Sequence, residues 1–178
     1  MKIFLVRHAS PEWGHEPIPY DLLPGPFLSS KGEKEAQALA EFLKSQGVVK
    51  IYYSPFERSA QTAKIVSAAI GIPAVEEKDL FEWREIDEPE HRVRRRMSSV
   101  VERIARESVN VGTIGLVSHG GPIALLMLEL GINQAEIAPY RKMFDTTNPL
   151  PPAGVWKIEK NPEEDRWNFQ LVFAPKVN

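Results

Sequence analysis

Two segments decide the fold: IFLVRH at residues 3–8 and TIGLVSH at residues 113–119. Each is a short apolar run, typical of a strand buried in a parallel sheet, and each ends at a polar residue followed by histidine. The carboxyl ends of parallel strands share one edge, and ligands bind in the crevice outside that edge. We therefore expect His8 and His119 to face the same crevice, with Arg7 beside them.

Helical patterns alternate with predicted strands over the first 130 residues. A capping box at Ser30 and Glu33 begins one helix, and a second box at Ser54 and Glu57 begins another. Further helices are predicted at 89–108 and after Gly121. The predicted strands before residue 130 lie at 3–6, 48–53, 74–76 and 113–117.

The last part of the chain has a different pattern. Residues 155–159 and 167–172 read as two strands joined by the turn-rich segment NPEED, which predicts an antiparallel hairpin. Together with the alternation upstream, this predicts an α/β fold: a three-layer α/β/α sandwich around a mainly parallel sheet, with a C-terminal antiparallel hairpin or edge strand.

Length and composition limit the classes of protein to consider. The 178 residues suit one domain over 1–178, with 43% hydrophobic and 26% charged residues. A net charge of −2 implies no general attraction to nucleic acid or to anionic membranes. The chain has no cysteine and no apolar run long enough to span a bilayer, so we expect a cytoplasmic protein without disulfides or thiolate metal sites.

The segment 11–26 contains five prolines and is predicted to be a surface loop. Loops of this length in compact domains are often lids or binding loops, and the aromatic residues Trp13, Tyr20 and Phe27 argue against disorder. We expect this loop to close part of the crevice. The acidic segment DLFEWREIDEPE at 79–90 has no regular period and is predicted to be a second loop.

The residues at the predicted sheet edge suit an anion. Arg58 lies in the first turn of its helix, near backbone N–H groups and the positive end of the helix dipole. With Arg7 and the two histidines it forms a predicted anion pocket. A metal site fits poorly, because the four histidines have neither an H-E-x-x-H motif nor another close ligand pair.

LVRHAS at 5–10 resembles the Arg-His-Gly signature of the histidine phosphatase superfamily, also called the phosphoglycerate mutase-like family. Further similarities follow in order: LSSKGEKEAQALAEFL from Leu28, YSPFERSAQTA from Tyr53, DLFE at 79–82 and VSHGG from Val117. They span most of the first 121 residues. A single tetrapeptide is weak evidence, whereas an ordered series is strong.

The resemblance implies a role for each matched residue. His8 would be the nucleophile that becomes phosphorylated, and Glu82 the candidate proton donor. Arg7, Arg58, His119 and Gly120 would bind the transferred phosphoryl group. The chemistry is consistent with these roles, because nearby guanidinium charges lower the pKa of a histidine and keep it neutral and nucleophilic.

Two departures from the family pattern leave questions open. The chain continues after Glu82 with Trp-Arg-Glu-Ile-Asp, where relatives often have a glycine-containing stretch, so Glu85, Asp87 and Glu88 remain alternative proton donors. Ala9 replaces the usual glycine of the signature and would be strained if that position required a positive φ.

The predicted function is a metal-independent and cofactor-free phosphatase of the histidine acid type, acting on a small-molecule phosphomonoester or, through an open crevice, on a phosphorylated protein. His119 follows Glu82 by only 37 positions, whereas mutases of this family are longer and cover the phosphohistidine against water. A cofactor-dependent phosphoglycerate mutase is the first alternative. A phosphate-recognition module without turnover is the second. The sequence does not predict the oligomeric state.

Overall fold

The computed structural model describes residues 2–14, 18–107, 112–144, 148–161, 163 and 166–176. His15 lies outside the described residues, as does most of the predicted hairpin turn. The strands are β1 (Lys2–Arg7), β2 (Val48–Tyr53), β3 (Ala74–Glu76), β4 (Thr113–Ser118), β5 (Val155–Asn161) and β6 (Arg166–Phe173). The helices are α1 (Ser30–Ser45), α2 (Glu57–Ile70), α3 (Glu90–Glu107), α4 (Gly120–Glu129) and α5 (Gln134–Phe144).

The six strands form one sheet in the order β3-β2-β4-β1-β5-β6. The first four strands in that order pair in parallel, and β5 and β6 add to β1 as an antiparallel hairpin. Arg7 of β1 lies opposite Ser118 of β4, so these two strands end at the same level. The mainly parallel sheet and the C-terminal hairpin are as predicted.

Helices cover both faces of the sheet. Side chains of α1 and α2 pack with Phe4, Val6 and Val117 on one face. Side chains of α3, α4 and α5 pack with Ile3, Leu5 and Leu116 on the other face. Successive side chains of β1 point to opposite faces of the sheet, so this one strand contributes to the hydrophobic core on both sides. This confirms the three-layer α/β/α arrangement.

Both predicted capping boxes are wrong in detail. The cap of α1 is Ser29, whose hydroxyl accepts a hydrogen bond from the N–H of Gly32. Helix α2 begins at Glu57 after Phe56 and has no side-chain cap. The Ser54 hydroxyl accepts a long hydrogen bond from the N–H of Phe56, at 3.4 Å, and lies 2.7 Å from the ring nitrogen Nε2 of His119. The side chain of Ser54, which the local sequence assigns to helix capping, thus makes its shorter contact with a residue from another part of the chain.

The remaining predictions concern the loop at 79–90, the region after α4 and the backbone at Ala9. The predicted loop at 79–90 holds a short 3-10 turn, Lys78–Leu80, before its irregular part. Helix α5 has Pro139 in its interior and was not predicted. Ala9 is not strained: Ala153 is the one non-glycine residue with positive φ in the described part of the chain. None of the helices described is long and apolar enough to cross a membrane.

Candidate active site

Three parallel strands deliver polar residues to one edge of the sheet. His8 follows β1, Ser54 follows β2 and His119 follows β4, and all three are fully buried. Backbone hydrogen bonds continue past the strand ends, from His8 N–H to Ser118 O at 2.9 Å and from Ser54 N–H to Val117 O at 3.0 Å. The two imidazole rings are 5.2 Å apart, centre to centre. The sheet therefore holds the rings rigidly beside each other.

The His8 ring is held in one tautomer by its neighbour. Its Nδ1 lies 2.8 Å from the carbonyl oxygen of Ala9, which can only accept, so Nδ1 carries the proton. The lone pair of Nε2 then faces Arg58 Nε at 3.2 Å and the Tyr20 hydroxyl at 3.1 Å. Burial lowers the pKa of His8 well below its usual value, and the positive charges of Arg58 and Arg7 lower it further. Nε2 is therefore an unprotonated, nucleophilic nitrogen.

Arg58 connects the polar groups of the site. It is fully buried, and its Nη2 donates to Glu82 Oε2 at 3.0 Å and lies 3.2 Å from His119 Nδ1. Its Nη1 donates to the main-chain oxygen of Tyr20 at 2.8 Å. A guanidinium presents several donors in one plane, which matches the oxygens of a phosphoryl group as well as it matches these partners. Arg58 thus supplies a fixed positive charge directly beside His8 Nε2.

Glu82 is the acid that the structure brings to this cluster. It is 9% exposed, and its Oε1 accepts from the N–H of Trp83 at 2.9 Å. Burial alone would raise its pKa, but the contacts with His119 and Arg58 outweigh burial and hold the pKa well below its usual range. In this state Glu82 is a carboxylate, and taking up a proton requires a change in its surroundings.

The alternative acids lie away from His8. Asp87 is exposed and paired with Arg84, and Glu88 is paired with Arg96 at 2.9 Å. Glu85 is exposed on the same loop. Of these four carboxylates, only that of Glu82 is buried and in contact with Arg58 and His119.

Ser54 is a site residue that the sequence analysis assigned only to helix capping. Its Oγ lies 2.7 Å from His119 Nε2, while His119 Nδ1 lies 3.2 Å from Glu82 Oε2. Nδ1 of His119 lies 3.2 Å from both Glu82 Oε2, which only accepts, and Arg58 Nη2, which only donates, and the Ser54 hydroxyl can serve Nε2 either as donor or as acceptor. Burial lowers the pKa of His119, and the partly opposing effect of Glu82 does not cancel this. His119 is therefore neutral and oriented at both nitrogens.

A cavity of about 300 Å³ opens beside this cluster. Arg7 and Gly120 line it, together with Tyr20, Glu82 and Asn148. A Cβ on Gly120 would lie 1.9 Å from Asn148 Oδ1, so glycine lets the backbone at the start of α4 approach this side chain closely. Arg7 and the amino end of α4 give this cavity donors that suit the oxygens of a phosphoryl group, whereas His8, Arg58 and His119 do not line it.

Tyr20 covers the site from the proline-rich loop. Its ring lies over the Arg58 guanidinium at 4.0 Å, and the Trp13 ring stacks on its far side at 5.1 Å. Gly25, with φ +71°, allows the loop to lie against Arg58, since a Cβ there would be 2.6 Å from Arg58 Nη1. The loop thus closes part of the crevice, as expected: His8 has no exposed surface, and the Tyr20 hydroxyl lies 3.1 Å from its Nε2.

Three of these side chains also have the spacing of a metal site. Ligand atoms of His8, Glu82 and His119 all lie within 4.8 Å of one another, a cluster that spacing along the sequence does not reveal. However, Arg58 contacts all three of them. A divalent cation there would have to displace a buried guanidinium or sit against its charge. The donor set fits an anion bound by Arg58 better than a metal ion.

Comparisons with known proteins agree with this geometry. Residues 3–87 match the sequence profile of the Histidine phosphatase superfamily (branch 1). Phosphoserine phosphatase 1 of Hydrogenobacter thermophilus is 36% identical over 83 residues, which are 46% of this chain and 38% of that protein. The "Probable phosphoglycerate mutase GpmB" of an Enterobacter species is 28% identical over 157 residues, which are 84% of this chain and 67% of that one.

A solved structure shares the fold over almost the whole chain. The mycobacterial glucosyl-3-phosphoglycerate phosphatase Rv2419c, in complex with VO3, superposes with a TM-score of 0.66 at 20% identity. The match covers 98% of this chain and 99% of that one. Phosphatases and a mutase both occur among these similar proteins, so similarity alone does not separate the two reactions.

Proposed function

We propose that this chain, which belongs to the histidine phosphatase superfamily, is a phosphomonoester hydrolase that works through a phosphohistidine on His8. The observation that carries the proposal is the tautomer of His8. Its Nδ1 proton is held by Ala9 O, so Nε2 points its lone pair at Arg58, where a phosphoryl group would bind. Arg7, Gly120 and His119 complete the proposed phosphate site.

In the first step Nε2 of His8 attacks phosphorus, the N–P bond forms and the ester P–O bond breaks. Arg58 and Arg7 stabilise the charge on the phosphoryl oxygens in the transition state. The leaving oxygen needs a proton, and we assign its delivery to Glu82. A bound phosphate dianion competes for Arg58 and adds negative charge nearby, and both effects raise the pKa of Glu82, which can then take up a proton.

In the second step water attacks the phosphohistidine. Glu82, now a carboxylate again, takes a proton from this water, the N–P bond breaks and inorganic phosphate leaves. One carboxyl group thus serves as acid and then as base. Neither step requires a metal ion, because Arg58 and Arg7 provide the positive charge that a metal would otherwise supply.

One argument for hydrolysis over phosphoryl shuttling is that the described residues between Glu82 and His119 add only Trp83 to the cavity wall, so that the cover over His8 comes from Tyr20. A mutase must protect its phosphohistidine from water while the substrate reorients. Among the described residues from 83 to 118, Trp83 lines the phosphate cavity. Helix α3 from the same segment packs its apolar residues into the core below the sheet. A small phosphomonoester is the proposed substrate, because a cavity of about 300 Å³ beneath Tyr20 suits it better than a protein chain.

The test is turnover of p-nitrophenyl phosphate by the wild type and by His8→Ala, with and without EDTA. We expect His8-dependent release of p-nitrophenol that EDTA does not reduce. Enzyme quenched during turnover of a ³²P-labelled ester should carry acid-labile, base-stable label on the peptide containing His8. Label on another residue, or turnover that survives His8→Ala, contradicts the proposal.

Phosphoglycerate mutation is the second candidate, supported by the GpmB relative. It predicts interconversion of 2- and 3-phosphoglycerate, primed by 2,3-bisphosphoglycerate, at a rate exceeding the release of inorganic phosphate. Hydrolysis predicts the opposite ratio. Binding of phosphate without any turnover would favour the recognition module.

A further inference from the structure

A second and larger cavity, of about 660 Å³, lies next to the phosphate cavity. Glu82 and Asp21 line both cavities. Arg7 and Gly120, two of the proposed phosphate-binding residues, line only the smaller one, whereas His8, Arg58 and His119 line neither. Glu82, the proposed proton donor, therefore stands at the boundary, which is where the bond between phosphorus and the leaving oxygen must lie.

The walls of the larger cavity are mainly apolar. They are formed by Leu22, Leu23, Pro55, Phe56 and Phe81. Leu22 and Leu23 are 42% and 61% exposed, so this wall presents adjoining apolar side chains to solvent, as ligand-binding grooves often do. A volume of this size is within the range of small-molecule sites in proteins.

Two phenylalanines join this wall to the catalytic cluster. The Phe56 ring packs edge-on against the His119 ring at 5.2 Å and lies against Arg58 at 4.7 Å. Phe81 directly precedes Glu82, and the Arg96 guanidinium covers its ring at 3.7 Å. A leaving group attached to a phosphate at His8 would thus meet an apolar surface immediately beyond Glu82.

The charges around the cavity are unbalanced. Its lining has the carboxylates of Asp21, Glu76, Glu82, Asp87 and Glu88 and the cations Lys78 and Arg84. Arg58 and Arg96, which do not line it, pair with Glu82 and Glu88, so the carboxylates exceed the cations by one. Arg84 is already paired with Asp21 at 2.8 Å and with Asp87. The small excess of negative charge, with Arg84 already paired, disfavours a leaving group that carries its own carboxylate relative to an uncharged apolar group.

We propose that this cavity is the leaving-group subsite, and that it selects phosphomonoesters of apolar, uncharged alcohols or phenols over esters that carry a carboxylate. The inference rests on the proposed function, because it assumes that phosphate binds beside His8. It narrows the substrate class without naming the physiological ester.

Two pairs of substrates test it. Phenyl and 1-naphthyl phosphate have leaving groups of similar acidity but different apolar area, and we expect kcat/KM to be about tenfold higher for the naphthyl ester. Glycerol 3-phosphate and 3-phosphoglycerate differ by the carboxylate, and we expect kcat/KM to be about tenfold lower for the carboxylate ester.

Leu23 is the residue to vary, since it is exposed and far from the core. Leu23→Ala should reduce the naphthyl-to-phenyl ratio about threefold to tenfold, and Leu23→Lys should also raise kcat/KM for 3-phosphoglycerate. Met143→Ala and Met143→Lys are matched controls, because Met143 is 67% exposed and lines neither cavity. Both controls should leave the ratios within about twofold of the wild type.

The outcomes separate the two proposals. If turnover depends on His8 but the naphthyl ester has no advantage, or the Leu23 and Met143 variants behave alike, the subsite is wrong and the phosphatase proposal stands. If no ester is turned over in a manner that depends on His8, both proposals fall. A better rate with 3-phosphoglycerate than with glycerol 3-phosphate contradicts the charge argument directly.

Discussion

Glu82→Gln removes one charge from the site and keeps the shape of the side chain. Oε2 of Glu82 receives Arg58 and His119, and Oε1 receives the main-chain N–H of Trp83. Both oxygens of the Glu82 carboxylate face N–H donors, but a glutamine amide has only one oxygen. Its NH2 group must therefore face a donor at one of the two oxygen positions. The glutamine oxygen is expected to stay with Arg58, leaving the Trp83 N–H without an acceptor.

The stability cost follows from these contacts. Removing one partner of a buried ion pair costs about 3–5 kcal/mol, but the glutamine oxygen still accepts from Arg58, so we expect about 2–3 kcal/mol. For a chain of 178 residues this lowers Tm by about 4 to 12 °C. The pKa of Glu82 is lowered in the native state. Its contribution to the free energy of unfolding is therefore complete at pH values above the unfolded-state pKa of about 4.3 and declines at lower pH. The deficit of the variant should therefore be constant at neutral pH and smaller in acid.

Kinetics separate the catalytic role from the structural one. General acid catalysis contributes about 10²–10⁴-fold when the leaving group is a poor one. In Glu82→Gln, kcat/KM for an alkyl phosphate should fall by that factor, whereas kcat/KM for p-nitrophenyl phosphate should fall less than about tenfold because nitrophenolate leaves without a proton. Loss of the base for the second step should make phosphohistidine accumulate, visible as a burst of p-nitrophenol.

Equal losses of kcat/KM for both esters, with no burst, would refute the reasoning. Glu85→Gln is the control, because Glu85 lies on the same loop but is exposed and lines neither cavity. It should match the wild type in stability and in both kinetic constants. Should Glu85→Gln reproduce the burst instead, the proton donor has been misassigned.

Three further predictions concern the neighbours of Glu82. Tyr20→Phe removes the hydroxyl over His8 Nε2, so kcat/KM for p-nitrophenyl phosphate should rise by up to about fivefold, the worth of one hydrogen bond; a decrease would mean that the hydroxyl assists the reaction. Ser54→Ala leaves a buried nitrogen of His119 without its hydrogen-bond partner and should lower the free energy of unfolding by about 1–3 kcal/mol in urea titrations, an effect absent if water replaces the hydroxyl. The lowered pKa of His8 means that the unfolded chain binds more protons than the native protein below about pH 6.5. Native stability should thus decrease from pH 7.5 to pH 5.5, and His8→Asn should reduce that decrease by about 1 kcal/mol; an unchanged pH slope would show that His8 is protonated in the native state.

The layered fold was predictable because its signals are local. The apolar runs that end at Arg7 and Ser118 identify buried parallel strands, and parallel pairing then fixes which ends meet. The same rule predicts that His8 and His119 lie at one edge of the sheet. Helix α5 was not predicted because Pro139 lies in its interior, and a proline in that position normally argues against a helix.

The contacts within the site were not predictable in the same way. Ser54 before a helix suggests a cap, and only the return of β4 beside β2 puts His119 within reach of its hydroxyl. Tyr20 lies in a loop whose path over Arg58 depends on contacts with α2, which no periodicity encodes. The choice among Glu82, Glu85, Asp87 and Glu88 likewise depended on which carboxylate is buried and which are paired at the surface.

The amino-acid sequence by itself determined the strands, their shared edge and the residue types at that edge, because these depend on short-range periodicity and on the rules of parallel pairing. Tertiary structure decided the protonation of His8, the inward turn of Glu82 and the position of Tyr20. These properties depend on burial and on charges contributed by residues far apart in the chain, and electrostatic effects of that kind exist only once the chain has folded around them.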